Sequence, residues 1–530
     1  MAILAVGASP AIAKESAGTL TSRRAMVDVL APGGSAQPLI TVGESIGGYT
    51  FEAIPDGISV WNKHGQTVEV FVNHETSRVP FPLQLNGAQW QPLTNTTTSG
   101  TAPGTQNDFD NAQLSRLLVN RKTGGVISGE MVIDSGANYQ RFCSQFLADK
   151  HAGFERPILF MNEEATDFVS RTGDAYPAPT TEPPSEQAGV VVAYDVLSDT
   201  YKTIYGMGRL NHENSVAIPG YKAPVVLTGD DTFTTNPAQS QVYMYRADSA
   251  AQLWADSGAL FGFRATQHTV YNDYYDFLPG SPQSISGEFV SITDAVAKGP
   301  QAGLESESDS KDVFQFVRIE DIAYDRNDSS IVYLADSGRA STSLPGPSTN
   351  GRIWKMVLNK KDPLKVDSLS ILYDGDLGGL NNPAFIHQPD NLETTKGYLY
   401  VTEDPSSANQ GLNTARIWQI PLSGGVAGTP TVVAAVNQGY DGDPSMDVDG
   451  FANAGPGYWE SSGIIDVSDA FGPGTFLVTV QAHSLWVEKD PADDNWTRAA
   501  RTWTPGPDGF PDWMNKREGG QLVLITIPGG

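Results

Sequence analysis

One layout recurs along the chain and narrows the folds open to it. A short apolar strand starts beside an acidic residue, turns through a polar stretch, and is followed by a second strand that ends in one or two acids. "RIEDIAYDRNDSSIVYLADSGRA" (318–340) shows it plainly, and "QPDNLETTKGYLYVTEDPSSA" (388–408) repeats it. Further copies stand at 54–77, 141–167 and 211–233, with a weaker one at 459–484. Behind the copies, in order, come third apolar runs: "LSRLLVN", "GVVVAYDV", "QVYMYRA", "GRIWKMVL", "ARIWQIPL" and "GGQLVLITIP". The repeat is a three-stranded β-meander unit spaced at about 70–110 residues, longer than the ~40–50 of a simple propeller blade because loops are inserted between strands.

The 54 Gly and 35 Pro, with little sustained helical periodicity, agree with many short strands joined by turns. The expectation is an all-β fold, a six-bladed β-propeller forming a single domain over residues 45–530. Insertions are expected near 83–110, 171–188, 265–310 and 485–519, where Pro, Gly, Ser and Thr replace periodic apolar residues. "FVSITDAVAK" (289–298) is read as a short helix inside the third insertion. A pair of β-sandwiches is the alternative, in which the six-fold recurrence would have no architectural meaning.

Sixty-one acidic against 34 basic residues give a net charge of −27, which excludes bulk phosphate neutralisation and so argues against a nucleic-acid partner. A soluble, salt-tolerant surface explains much of that charge, and bound cations explain a clustered remainder. The single cysteine, Cys143, excludes a disulfide within the chain. No apolar run is long enough to span a membrane. Residues 1–13, apolar and closing on Ala11-Ile12-Ala13, read as a residual signal segment without its basic n-region, which points to a secreted or periplasmic protein.

In a propeller blade the first strand lines the channel and the second runs antiparallel beside it, so the start of one and the end of the other reach the same mouth. Asp56 then joins Asn73-His74-Glu75, Cys143 joins Glu163-Glu164, and Glu213 joins Asp230-Asp231. Glu320 joins Asp336, Asp390 joins Glu403-Asp404, and Glu460 or one of its neighbours joins Gln481 and His483. Ionised carboxylates this crowded repel by several kcal/mol each once desolvated, and bound cations are the simplest remedy. Oxygen-rich groups suit Ca²⁺ or Mg²⁺, whereas a thiolate among carboxylates suits a transition metal. Taken singly, Cys143 is equally a buried apolar side chain, His74 and His212 are turn residues, and Asp325 and Asp328 are turn acids. "DGDPSMDVDG" (441–450) alternates acids like part of a calcium loop but lacks the trailing glutamate. Arg318, two residues before Glu320, shares its side of the strand and is either an ion-pair partner or an anion clamp.

The ordered motifs "FVNHE", "RFCS…FMNEE", "GRLNHENS…LTGDD", "VRIEDIAYD", "QPDNL…VTED" and "VTVQAH" resemble the PhoX-type secreted alkaline phosphatases from about residue 45 to 490. The resemblance implies a six-bladed propeller holding iron and calcium at its channel mouth and hydrolysing small phosphate monoesters. It implies iron at Glu75, Cys143, Glu164 (with Glu163 as the neighbouring choice), Glu213 and Glu320, and substrate phosphate at Arg318. Calcium is assigned by spacing to Asp390, Asn391, Glu403 and Asp404. The segment between Cys143 and Glu163 departs from the Trp- and Gly-containing pattern of the family. A calcium-stabilised propeller without activity is the competing reading, and it leaves the thiol and Arg318 without a role. Hydrolysis of other esters or lactones is a third reading, and no Gly-x-Ser-x-Gly elbow supports a serine mechanism for it.

Overall fold

The computed structural model describes residues 17–61, 65–75, 83–86, 89–92, 110–134, 137, 139–166, 168–170, 185–232, 237–277, 284–339, 350–379, 382–404, 414–423, 426–438, 459–489, 496–498 and 516–530. Each acidic layout folds as an antiparallel hairpin. The first strands are Pro55–Trp61, Phe142–Ala148, His212–Ala217, Ile319–Tyr324, Pro389–Thr394 and Trp459–Asp466. Their partners are Thr67–His74, Ile158–Glu163, Val225–Asp230, Ile331–Asp336, Tyr398–Glu403 and Thr475–Lys489. The third apolar runs supply the next strand outwards in every unit, from Asp110–Asn120 to Lys516–Thr526.

The fold is all-β and propeller-like. Units one, two, five and six each form a separate blade-like sheet, whereas units three and four share one nine-stranded sheet. The strand joining those two is Ser284–Ser291, which pairs with Ala259–Ala265 on one side and Lys365–Asp374 on the other. It lies where a loop insertion is expected. Its alternating burial is carried by Ile285, Gly287 and Phe289 among exposed serines, a pattern too sparse in apolar residues to stand out. The expected helix at 289–298 is confined to Asp294–Ala297, followed by a second helix at Gln301–Ser310. Residues 1–13, 441–450 and most of the other insertions lie outside the described residues. Among the described residues no helix is long and apolar enough to cross a membrane.

The first strands lie side by side around a channel, each against the next, and Trp459–Asp466 returns to lie against Pro55–Trp61. The ends of the chain tie the last units together. Ser35–Thr41 is the outermost strand beside Lys516–Thr526, and Val27–Val29 adds to Thr431–Val436 in the fifth unit. Gln521 pins the crossover: its side chain accepts from Met26 N at 2.8 Å and donates to Arg24 O and Thr41 Oγ1 at 2.9 Å.

A bulge recurs in every hairpin. Pro55 pairs with His74 and Ile58 with Val72, so three steps on the first strand oppose two on the second. The same offset follows Phe142, His212, Ile319, Pro389 and Ser461. Bulges of this kind bend the strand and re-aim the side chain they carry. They also press neighbouring strands together: a Cβ on Gly57 would sit 2.5 Å from Gln145 N and 2.8 Å from Ser144 C. Gly57→Ala should therefore cost about 1–3 kcal/mol by overpacking. Gly397→Ala, where a Cβ meets nothing within 4 Å, should shift the denaturant midpoint negligibly. Equal midpoints for the two variants would contradict this packing.

Candidate functional site

Strand alternation sorts the paired acids at each strand end. The residue opposite the start of the first strand turns into the sheet, and the one after it turns into the channel. Glu163 accepts from the backbone N–H groups of Gln140 (2.8 Å), Gly189 (3.0 Å) and Val190 (3.2 Å). Glu403 accepts from His387 N, Arg416 N, the Arg416 guanidinium and Trp418 Nε1. Asp336 holds Val317 N, Arg318 N and Trp354 Nε1 in the same manner. These three carboxylates anchor blades and are not brought to the channel cluster. His74 and His212 also face inward, hydrogen-bonded to Ser115 and Thr228, and burial pushes their pKa values down to about 3 and about 4.

The channel-facing set is different. Asp56, Cys143, Glu213, Glu320 and Asp390 each occupy the second residue of a first strand, inside its bulge, while Glu75, Glu164, Asp231 and Asp404 follow the second strands. They join into overlapping groups whose ligand atoms lie within 4.8 Å of one another: Asp56/Glu75/Cys143, Cys143/Glu164/Glu213, Glu164/Asp231/Glu320 and Glu213/Glu320/Asp390, all buried. Cys143 Sγ donates to Glu164 Oε2 at 2.7 Å, and Ser144 Oγ donates to Glu213 Oε1 at 3.0 Å. Asp404 lies in electrostatic reach of Glu320 and Asp390. Asn391 donates to Ser144 Oγ at 2.6 Å from just beneath the cluster. In the sixth unit the bulge falls later, so Ser462 and Gln481 take the equivalent places, and Gln481 Nε2 donates to Asp56 Oδ2 and Glu75 Oε1, both at 3.0 Å.

Two arginines sit among these acids. Arg318 forms a fork with Asp231 (2.7 and 2.8 Å) and touches Glu320 Oε1 at 2.6 Å. Arg141 places Nε 3.0 Å from both Glu75 Oε2 and Glu164 Oε2, from a backbone with φ of 39°. That left-handed conformation is uncommon outside glycine, and it delivers the guanidinium to the cluster. Arg141 was not singled out by sequence; the signal for it was its place directly before the strand that carries Cys143. Asp231, recognised as a mouth residue but not as a ligand, belongs to the cluster as well.

Burial, then mutual repulsion, holds Asp56, Glu213 and Asp390 well above the usual carboxylate range. Glu164 and Glu320 are raised by burial against the pull of Arg141 and Arg318, respectively. Burial also pushes the Cys143 thiol up, with Glu164 and Glu213 adding to it. Burial acts the same way on Asp231, but Arg318 overcomes it and holds that carboxylate low. A bound cation relieves crowding of this kind, because the metal competes with protons for the same oxygens. Two atoms mark the unmet demand: Asp56 Oδ1 and Asp390 Oδ2 are buried and have no hydrogen-bond partner among the described residues. Buried oxygen and thiol donors grouped in this way could hold metal ions, a softer one where the Cys143 thiol takes part.

The other end of the channel opens into a cavity of ≈ 980 Å³ whose walls include Ile58, Trp61, Phe146 and Tyr324. Ser144, Asn214, Asp321 and Asn391 separate it from the acidic cluster. The cavity lining carries titratable groups of its own, Asp321, Arg326 and Glu393 among them, but the overlapping groups of candidate metal ligands lie at the opposite end.

No protein-family model matches the chain, and no curated protein matches it. Among solved structures it is similar to the periplasmic gluconolactonase PpgL of Pseudomonas aeruginosa (10% identity, 89% of each chain covered, TM-score 0.36). It is also similar to a mutant of the alpha-l-arabinofuranosidase arb93a of Fusarium graminearum with an iminosugar inhibitor (7% identity, 89% of this chain and 93% of that one, TM-score 0.39). A putative 6-phosphogluconolactonase of Bacteroides fragilis follows (10% identity, 76% and 92% coverage, TM-score 0.30). Similarity at this level says nothing about the reaction of this chain.

The raised carboxyls set a pH dependence for the metal-free protein. Folded Asp56, Glu164, Glu213, Glu320 and Asp390 retain protons that the unfolded chain releases above about pH 4, so each subtracts stability as pH rises towards its folded pKa. In chelator, the melting temperature should fall from pH 5 to pH 8, and excess Ca²⁺ should flatten that slope. A chelated protein whose melting temperature rises over this range would refute the crowded-carboxylate account.

Proposed function

We propose that the chain is a secreted or periplasmic six-bladed β-propeller that hydrolyses phosphate monoesters at a metal-loaded channel mouth. The count of six treats the nine-stranded sheet as units three and four joined edge to edge by Ser284–Ser291, and the succession of first strands around the channel supports it. The apolar N-terminal stretch ending Ala11-Ile12-Ala13 supports export. One observation carries the functional reading: the overlapping buried ligand groups include the chain's single thiol and have two guanidinium groups at their edge.

Glu75, Cys143, Glu164, Glu213 and Glu320 would hold iron, and Asp390, with Asn391 and Asp404 beside it, would complete calcium sites. Bound there, the metals would polarise phosphoryl oxygens and supply a deprotonated water at neutral pH. The chain's own contribution is charge and order. Arg318 and Arg141 bring to the cluster the guanidinium charge that a phosphate dianion needs, Arg318 by exchanging its Asp231 fork for the phosphate. Gln481 and Ser144 fix the orientation of Asp56, Glu75 and Glu213 by hydrogen bonds. Burial excludes water from the carboxylates and strengthens each electrostatic contact.

A second reading, a cation-stabilised propeller without activity, draws on the engagement of the Arg318 fork by Asp231, which leaves Arg318 acting as a counter-ion. Elemental analysis and phosphate release from the purified protein separate the two. Iron with calcium and turnover of phosphate monoesters is the expected result; calcium alone without turnover favours the second reading.

Cys143→Ser should abolish transition-metal occupancy while calcium persists, because the oxygen ligands remain. Iron retained in full would return Cys143 to an apolar packing role. Arg318→Lys should lower hydrolysis by roughly 10²-fold, the scale for one well-placed electrostatic donor, with metal content kept. Its melting temperature should also fall, since the fork to buried Asp231 is lost. Unchanged turnover in that variant would exclude a clamp.

A further inference from the structure

We propose that His483 is the proton donor to the leaving-group oxygen, an inference that rests on the hydrolase reading and adds to it a residue outside the run of metal-ligand groups. The sixth unit departs from the others at this position. Its second strand pairs Ala482 with Gly519 and next Trp486 with Glu518, so residues 483–485 have no counterpart on the last strand. The bulge lifts His483 off the ladder at the channel mouth, two residues beyond Gln481, whose amide grips Asp56 and Glu75.

The imidazole is held asymmetrically. Nδ1 lies 2.6 Å from Glu518 Oε2 and Nε2 lies 3.4 Å from Glu460 Oε2. The tight contact fixes Nδ1–H and the ring's orientation, while the slack one leaves the Nε2 proton free to transfer. The ring is one-third exposed, its two carboxylate partners only 11–12%, so it stands at the water's edge of an otherwise buried cluster. Burial would lower its pKa, but Glu518 and then Glu460 outweigh that and keep it charged well above the usual histidine range. Those two carboxylates, from the last strand and from the sixth first strand, are the charged groups that face it. Glu460 in turn faces Asp404 and Glu75, which ties the pair to the metal-ligand groups.

In the step, a water oxygen bonds to phosphorus as the bond from phosphorus to the ester oxygen breaks. The electron pair stays on the ester oxygen, which takes the Nε2 proton and leaves as the alcohol. The attacking water's proton passes to solvent, and solvent reprotonates Nε2. Glu518 acts as a positioning residue throughout, since it keeps the second ring nitrogen protonated.

Proton donation matters for a basic leaving group and little for an acidic one. The test compares wild type, His483→Asn and Glu518→Gln on glycerol phosphate and p-nitrophenyl phosphate, with metal content and melting temperature measured alongside. His483→Asn should lose about 10²-fold or more in kcat on the alkyl ester, the lower end of the range for general acid catalysis, and less than about 5-fold on the aryl ester. Glu518→Gln, which keeps the imidazole, should show the same split at smaller size and serves if His483→Asn fails to fold. Equal losses on both esters, or none on either, would overturn the proposal. A folded wild type that cleaves neither ester would remove the hydrolase reading itself and the donor with it.

Discussion

Like-charge crowding at one end of the channel is the constraint on which the rest of the structure depends. Bulges repeated through the hairpins turn Asp56, Glu213, Glu320 and Asp390 inward alongside Cys143, and the residues after the second strands bring Glu75, Glu164 and Asp231 to meet them. Ions of one sign at these separations are costly in a medium of low dielectric. The fold answers in three ways: Arg141 and Arg318 supply positive charge, Gln481 and Ser144 supply hydrogen bonds, and burial holds Asp56, Glu164, Glu213, Glu320 and Asp390 above the usual carboxylate range. None of these removes the demand of Asp56 Oδ1 and Asp390 Oδ2 for a partner. A protein that needed only stable blades could have filled these positions with apolar residues at no cost.

The same acids do two jobs separated by one step along the chain. Glu163, Asp336 and Glu403 stitch blades through backbone donors and indole nitrogens, whereas Glu164 and Asp404 serve the channel. Removing Glu403 would leave the buried Arg416 guanidinium without its counter-ion, held by the carbonyls of Pro383 and Phe385, a loss on the scale of about 3–5 kcal/mol. An acidic pair at a strand end therefore encodes an anchor and a channel group together, which is why the pairs recur.

Much of the architecture was legible because strands buried along their whole length announce themselves as short apolar runs bracketed by turns: the first, second and third strands of each unit fall on the apolar runs read from sequence. What stayed hidden depends on contacts between distant segments. Ser284–Ser291 carries too few apolar residues to read as a strand, and its partners come from two different units. The choice between Glu163 and Glu164, or Glu403 and Asp404, needs the register of the hairpin, which sequence alone does not fix. The contact of Arg141 with Glu75 and the Asp231 fork to Arg318 could not be found by spacing within one unit, because each joins residues of neighbouring units.

The sixth unit shows what the repeat constrains and what it leaves open. Its bulge is shifted by two residues, so Ser462 and Gln481 stand where other units place acids, and the local charge drops. That relief creates room on the mouth side for a group of opposite sign, and His483 occupies it between Glu460 and Glu518. Strict symmetry would have placed carboxylates at Ser462 and Gln481 and deepened the repulsion. This shift of the bulge falls in the unit whose outer strands also close the fold, where Ser35–Thr41 pairs with Lys516–Thr526. Glu518 belongs to that same closing strand, so the geometry around His483 is coupled to closure of the ring, and loosening the N-terminal strand should disturb the imidazole before it disturbs the ligands of the first five units.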